Sequence, residues 1–459
     1  MHRSFATKGS IMGRLLFAIL IVAVLSLNFQ AAPATAEWTV MIYMNAKNSL
    51  EPDALDNFAE IAGAGSTSKV NLVVEMGRPK QHLTNNSDDW SGVLRFHVKK
   101  NQRPIPAEAV LDVSASPALS DMGASTALED FITWTAKAYP AKRYMLVIWN
   151  HGQGWRYQAA PDGNALVTAA KRSSASHGMN VVQVDNVKKL TPPVGGFRAV
   201  SFDDDTKHFL YNSDVQAIIQ RTSKTLGKKL DIVSFDACLM SMLETAYGLR
   251  DSASLLVSSE ELEPGAGWDY NYFLIRLLRK PAQTPIELSK AIIDGYKRRY
   301  GDYRLATLSA IDLTRVAELA SDVSDMADKM TSAGEDEAAK IRNARANLVS
   351  YGVGDGLLTS VDLVAFLQAY SALTTDPAIK SAITKVRTSA RRSVLVNYAS
   401  SRSADEAGSA GIAIYFPETK DTFEGDPYHQ GYIKTNTDHA VSFVTEERWA
   451  NFLQTYLAL

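Results

Sequence analysis

The chain has 459 residues, a single cysteine and a formal net charge of −2 at pH 7, with acidic and basic residues interspersed. One cysteine excludes a disulfide scaffold, so the fold must rest on its apolar core. Near-zero net charge gives no support for a nucleic-acid or membrane-surface partner, and the length suffices for one large or two modest domains.

Residues 1–36 read as a signal peptide rather than as structure. His2, Arg3, Lys8 and Arg14 form a basic leader, residues 15–27 an apolar core, and Ala34-Thr35-Ala36 a small-residue cleavage signal before Glu37. The apolar run is short for a bilayer span, and no cysteine lies near the cleavage point to take a lipid. The expectation is an exported protein, periplasmic or secreted, with no stable membrane anchor after cleavage.

From residue 37 the pattern alternates. Strands are predicted over 37–44, 70–76 and 143–149, helices over 50–61 and 124–139, and a hairpin-like excursion over 93–98. Such alternation predicts an α/β fold with a parallel sheet covered on both faces. The strand 143–149 runs directly into Asn150-His151-Gly152-Gln153-Gly154-Trp155, a histidine beside glycines that admit close backbone approach.

Residues 156–198 break the rhythm with a long polar stretch ending in Pro192-Pro193-Val194-Gly195-Gly196, and structureless runs of that size inside a domain are usually functional or mobile. Phe202-Asp203-Asp204-Asp205 follows, without the full ligand loop of an EF-hand, and reads as a solvated turn. Leu230 to Phe235 is then a short β-branched and aromatic run, read as a buried strand, with Asp236-Ala237-Cys238 just past its carboxyl end and a helix over 240–249. Open α/β sheets carry their chemistry at such strand ends. A lone cysteine is ordinarily a small buried hydrophobe and a lone histidine a core or capping residue. Together, at the ends of two apolar strands, they point to a thiol nucleophile with an acid–base partner.

After Trp268 helices dominate, over 284–300, 313–330, 335–350 and 360–373, with strand-like pieces at 306–311 and 412–416. The expected organisation is a catalytic domain over 37–275 and a mostly helical C-terminal domain over 276–459. Neither a zinc-protease H-E-x-x-H nor a serine-hydrolase G-x-S-x-G motif occurs.

Five stretches in this order resemble the clostripain family of cysteine peptidases, related in fold to caspases, gingipains and legumain. They are Val40 to Glu51, the Asn150 to Trp155 turn, Phe235 to Met240, Ser258 to Trp268 and Gly411 to Pro417. Ser241 departs from the small Gly or Ala expected after Cys-Leu-Met. The order of His before Cys sets the chain apart from papain-like enzymes, and Asp236-Ala237-Cys238 echoes the Gln-Ala-Cys of caspases. The resemblance implies a caspase-like, mostly parallel sheet in a three-layer αβα arrangement, and a secreted endopeptidase in which Cys238 attacks and His151 protonates the leaving amine. Backbone N–H groups of Gly152 and Cys238 would hold the oxyanion. It also places Asp236 in the primary specificity pocket, so that polypeptides are cut after Arg, and Lys as well; the other role for this residue is a structural acceptor of backbone N–H bonds. Activation by self-cleavage is implied, with Arg156, Lys171, Arg172, Lys188, Lys189 and Arg198 as the basic residues offered within the 156–198 loop. No cofactor is required, with calcium kept as a candidate because some members of the family use it. The reading from another class is a binding or scaffold protein that keeps the fold without turnover; the presence of both His151 and Cys238 favours the enzyme.

Overall fold

A computed structural model of the chain describes Met1 and residues 35–84, 89–155, 201–301, 306–352, 359–401, 403, 407–426, 429–435 and 441–458. The expected leader, apart from its ends, and the expected processing loop lie outside the described residues.

The described strands are, in chain order, β1 (Ala36–Asn45), β2 (Val70–Arg78), β3 (Gly92–His97), β4 (Leu111–Asp112), β5 (Ala141–Trp149), β6 (Leu230–Asp236), β7 (Ala253–Ser258), β8 (Thr307–Asp312), β9 (Ser360–Asp362), β10 (Val394–Ala399) and β11 (Ala413–Tyr415). Nine of them form one sheet in the order β10-β8-β7-β6-β5-β1-β2-β3-β4, and β9 pairs with β11 separately. The centre, β7-β6-β5-β1-β2, is parallel. Antiparallel strands close both flanks, β3 and β4 on one side and β8 and β10 on the other.

Alternation along the strands divides the core in two. In β1, Trp38, Val40, Ile42 and Met44 face one cluster while Met41 and Tyr43 face the other, as side chains of period two must. In β5, Met145, Val147 and Trp149 join the first of these clusters and Tyr144, Leu146 and Ile148 the second. Helices Glu51–Ala64, Tyr270–Arg279 and Pro285–Tyr300 cover the first face, and Ser125–Ala138, Asn212–Leu226, Leu243–Leu249, Val316–Ser332 and Pro377–Ser393 the second. This is the expected three-layer αβα arrangement with a mostly parallel sheet, and helices predominate after β7.

The expected boundary near residue 275 has no counterpart, because residues 36–459 cluster as one compact unit. Two strands from the C-terminal part, β8 and β10, complete the sheet edge beside β7. The strand β1 starts at Ala36, which already pairs with Ala141, one residue before the expected mature terminus. Among the described residues no helix is long and apolar enough to cross a membrane.

Candidate active site

In a parallel sheet the carboxyl ends of adjacent strands open on the same edge. The order β7-β6-β5-β1 therefore sets four loops side by side: 259–268 after β7, 237–242 after β6, 150–155 after β5 and 46–50 after β1. Trp149 is the register partner of Asp236, so His151 and Cys238 each lie two residues beyond the same rung, on strands about 4.8 Å apart.

The histidine turn rests on the cysteine turn. A Cβ added to Gly152 would come within 2.4 Å of the Cys238 carbonyl oxygen, 3.0 Å of the Ala237 Cβ and 3.1 Å of the Cys238 nitrogen. Only a glycine permits that approach. Asn150, buried beside it, holds the turn from three directions. Its N–H donates to the Asp236 carbonyl at 3.3 Å, extending the β5–β6 ladder. Its Nδ2 donates to the Asn45 carbonyl at 2.5 Å, and its Oδ1 accepts from the N–H groups of His151 at 2.7 Å and Phe202 at 3.1 Å. The His151 Nε2 lies 3.2 Å from the Ser49 Oγ. Beyond the turn, Trp155 is buried between Tyr415 and Tyr432, each with its ring centroid 4.8 Å away.

Cys238 is half-buried. Its Sγ accepts the Glu263 N–H at 3.2 Å. Burial pushes the thiol up to about 11 and outweighs this hydrogen bond, with the nearby Glu261 and Asp236 carboxyls acting in the same direction as burial. Leu239, the next residue, adopts φ 63°, a left-handed conformation uncommon outside glycine. The backbone there is held by Leu239 N–H on the Glu261 carbonyl at 3.2 Å and Ser241 N–H on the Ser259 carbonyl at 2.8 Å. Ser241, where Gly or Ala was expected, is buried with its hydroxyl 2.9 Å from both the Gly411 carbonyl and the Ser309 Oγ.

Asp236 is only 4% exposed. Its Oδ2 accepts from the Tyr270 hydroxyl at 2.8 Å and the Trp268 N–H at 3.3 Å, and the Glu263 carboxyl lies close enough to interact with it. Gly267, at φ 61°, closes over it so tightly that a Cβ would meet Asp236 Oδ2 at 2.9 Å. Burial raises the Asp236 carboxyl above the ordinary range, opposed by its hydrogen bonds. The Glu263 carboxyl is pushed well above it, by burial first and by the adjacent Asp236 second. Each carboxyl so placed disfavours a negative charge on the other. Glu263 Oε2 also accepts the Trp268 Nε1–H at 3.2 Å.

The acidic run after the insertion is not the solvated turn its composition suggested. Asp203 is fully buried, pairs with Lys47 Nζ at 3.3 Å and accepts the N–H groups of Met122, Asp205 and Thr206. Its side chain is a structural latch already facing a cation. Among the described residues no group of three or more His, Cys, Asp or Glu side chains is placed to hold a metal ion.

The profile of the clostripain family, peptidase family C11, matches residues 42–190 and 177–456. The chain belongs to the clostripain family. One curated member, clostripain of Hathewaya histolytica, is 25% identical over 252 residues, which make up 52% of this chain and 42% of that protein, so the match spans less than half the relative's length. Among solved structures, an inactive zymogen C11 protease from Parabacteroides distasonis superposes with a TM-score of 0.59 at 17% identity, covering 92% of this chain and 99% of the other. A secreted C11 cysteine protease from Bacteroides thetaiotaomicron gives 0.57 at 16% identity, covering 92% and 100%. At these identities the likeness is one of fold. The structure thus brings His151, Gly152, Cys238 and Asp236 to one edge of a clostripain-family sheet. Sequence reasoning quoted Ser49 and Glu263 within matching stretches without assigning either a role, and passed over Asn150 and Tyr270 as partners; their signal is the position at a parallel strand end or in the loop that follows.

Proposed function

We propose that the protein is an exported cysteine endopeptidase that cleaves after Arg, and after Lys, through His151 and Cys238. The observation that carries this reading is the seating of the Gly152 turn on the Cys238 backbone, which holds an acid–base residue and a nucleophile at one level of adjacent parallel strands. In the reaction the Cys238 thiol proton passes to His151 as sulfur attacks the peptide carbonyl, and His151 returns a proton to the leaving amine. Water, deprotonated by His151, then hydrolyses the thioester. The N–H groups of Gly152 and Cys238 are the donors proposed for the oxyanion.

Specificity is proposed to come from Asp236. A guanidinium or ammonium reaching it finds a buried carboxyl that it can pair with; an apolar side chain leaves that group unpaired, which penalises the wrong substrate more than it weakens the right one. The Tyr270 and Trp268 contacts describe the pocket before such a side chain enters. A thiol raised by burial and an Asp236 carboxyl already engaged by Tyr270 and Trp268 support a latent form, activated by self-cleavage in residues 156–198. Of the two solved relatives, one C11 protease is described as an inactive zymogen, in keeping with latency, and the other as secreted, in keeping with export.

The test uses protein lacking residues 1–36, as wild type, Cys238→Ala and His151→Ala, against fluorogenic peptides that differ in the residue before the cleaved bond. Turnover after Arg, lost by at least ~10³-fold in either variant, with wild type alone splitting into two fragments on a gel, is the expected result. Normal turnover in Cys238→Ala defeats the assignment, and an intact, folded wild type with no turnover favours the scaffold reading.

A further inference from the structure

We propose that Ser49 is a positioning residue for His151, holding the imidazole by Nε2 so that Nδ1 is the nitrogen that exchanges protons with Cys238 and the leaving amine. The inference rests on the peptidase reading and names a third member for its His–Cys pair. The contact is the 3.2 Å approach of Ser49 Oγ to His151 Nε2.

The loop that presents Ser49 is built rather than incidental. Asn45 Oδ1 accepts the Lys47 N–H at 3.1 Å, and Asn48 Oδ1 accepts the Leu50 N–H at 2.9 Å. Asn48 Nδ2 donates to the carbonyls of Asn45 at 3.3 Å and Phe202 at 2.8 Å. Asn150 in turn donates to that same Asn45 carbonyl, so the Ser49 loop and the His151 turn share one anchor. Residues 45–48 are buried, while Ser49 itself is exposed. An exposed hydroxyl needs no protein partner to satisfy it, since water would do so. A rigid loop that nevertheless delivers it to a ring nitrogen serves the ring.

The proton accounting follows from the chemistry of imidazole. A hydroxyl oxygen accepts from Nε2–H in the neutral ring, which leaves the lone pair on Nδ1, and still accepts when the ring is cationic. The thiol proton moves from Sγ to Nδ1 as the sulfur–carbon bond forms, and the Nδ1 proton moves to the amine nitrogen as the carbon–nitrogen bond breaks. The Nε2 proton stays on Nε2 throughout, donated to the Ser49 hydroxyl oxygen. Among the described residues the titratable groups on the neighbouring loops are Cys238 after β6, Glu260, Glu261, Glu263 and the Asp236 carboxyl on the β6–β7 side, and Lys47 with Asp203 and Asp205 on the β1 side. All are retained when Ser49 is changed, so a shift between variants reports on the hydroxyl.

The experiment compares wild type, Ser49→Ala and Ser49→Thr for kcat, KM and the pH profile of kcat/KM on a peptidyl-Arg substrate, with thermal unfolding alongside. Ser49→Ala is expected to lower kcat about 10-fold, a part of the ~10²–10⁴-fold that positioned proton transfer contributes. KM and the unfolding temperature stay close to wild type, and the acidic limb of the profile, where His151 must lose its proton to act as base, moves to lower pH because the imidazolium has lost an acceptor. Ser49→Thr, which keeps the hydroxyl, recovers most of the loss. Unchanged kcat and acidic limb in Ser49→Ala, or equal losses in the Ala and Thr variants, overturn the proposal. A wild type without Cys238-dependent turnover overturns the peptidase reading, and this one with it.

Discussion

Gly152→Ala isolates the spacing of the two active-site turns. The added Cβ would sit 2.4 Å from the Cys238 carbonyl oxygen, where ordinary contact begins at 3.4 Å. The shortfall is about 1 Å, and the atoms in the way are the Cys238 backbone and the Ala237 Cβ, so no rotamer relieves it. Either the His151 turn lifts or the Cys238 turn retreats, and both change the separation of base and nucleophile. A misplacement of about 1 Å costs on the order of 10²-fold in rate. The alanine keeps its N–H, so the loss measures distance and not a missing hydrogen-bond donor. Overpacking of this kind destabilises by about 1–3 kcal/mol, which a domain of roughly 5–15 kcal/mol withstands. The assay is kcat on a peptidyl-Arg substrate for a variant shown folded by its cooperative thermal transition. The expected outcome is a kcat about 10²-fold below wild type with KM changed little. A folded Gly152→Ala enzyme within threefold of wild type (roughly, given the rate sensitivity above) would refute the argument that these turns set the reaction distance.

Other consequences can be measured directly. Asp236→Asn should lower the preference for Arg over Leu by at least ~10-fold, since a neutral amide offers the guanidinium no charge pair; retained preference in the kinetics would assign Asp236 to its structural contacts with Trp268 and Tyr270 alone. Glu75 pairs with buried Arg95, whose guanidinium also reaches Asp130 at 2.7 Å; Glu75→Ala strands much of that charge and should cost about 3–5 kcal/mol by urea unfolding. Burial lifts Glu75 to about 7, with Arg95 opposing, and lifts Asp362 to about 6, with its hydrogen bond to Glu260 opposing. Both folded values lie above the unfolded ones, so the folded state binds the extra protons and stability is lost as pH rises from about 4 to about 7, by at most roughly 3 kcal/mol per group. Unfolding free energies that rise across that window, or an Asp362→Asn variant with an unaltered slope, would contradict this.

Much of the site was legible because its signals are local. Residues 143–149 and Leu230 to Phe235 are short apolar runs, each stopping at a turn, and β5 and β6 form there with His151 and Cys238 two residues past a common rung. The helix expected at 284–300 follows from the Thr284 cap and its reciprocal bonds with Glu287. Where local signals conflict, the sequence was mute: β10 emerges directly from the helix Pro377–Ser393, and β7 is a six-residue piece between a helix and the Glu261–Glu263 loop. Their strand character comes from pairing, β10 with β8 and β7 with both β6 and β8, and β8 and β10 join the expected second domain to the sheet of the first. The same holds at the active edge. Composition could say that Asp203 is acidic but not that Lys47, 156 positions away, would bury with it, and could place Ser49 after a strand but not beside the histidine. Strand order is settled by long-range burial of both sheet faces. It is that order, β7-β6-β5-β1, which sets Glu263, Cys238, His151 and Ser49 on successive loops.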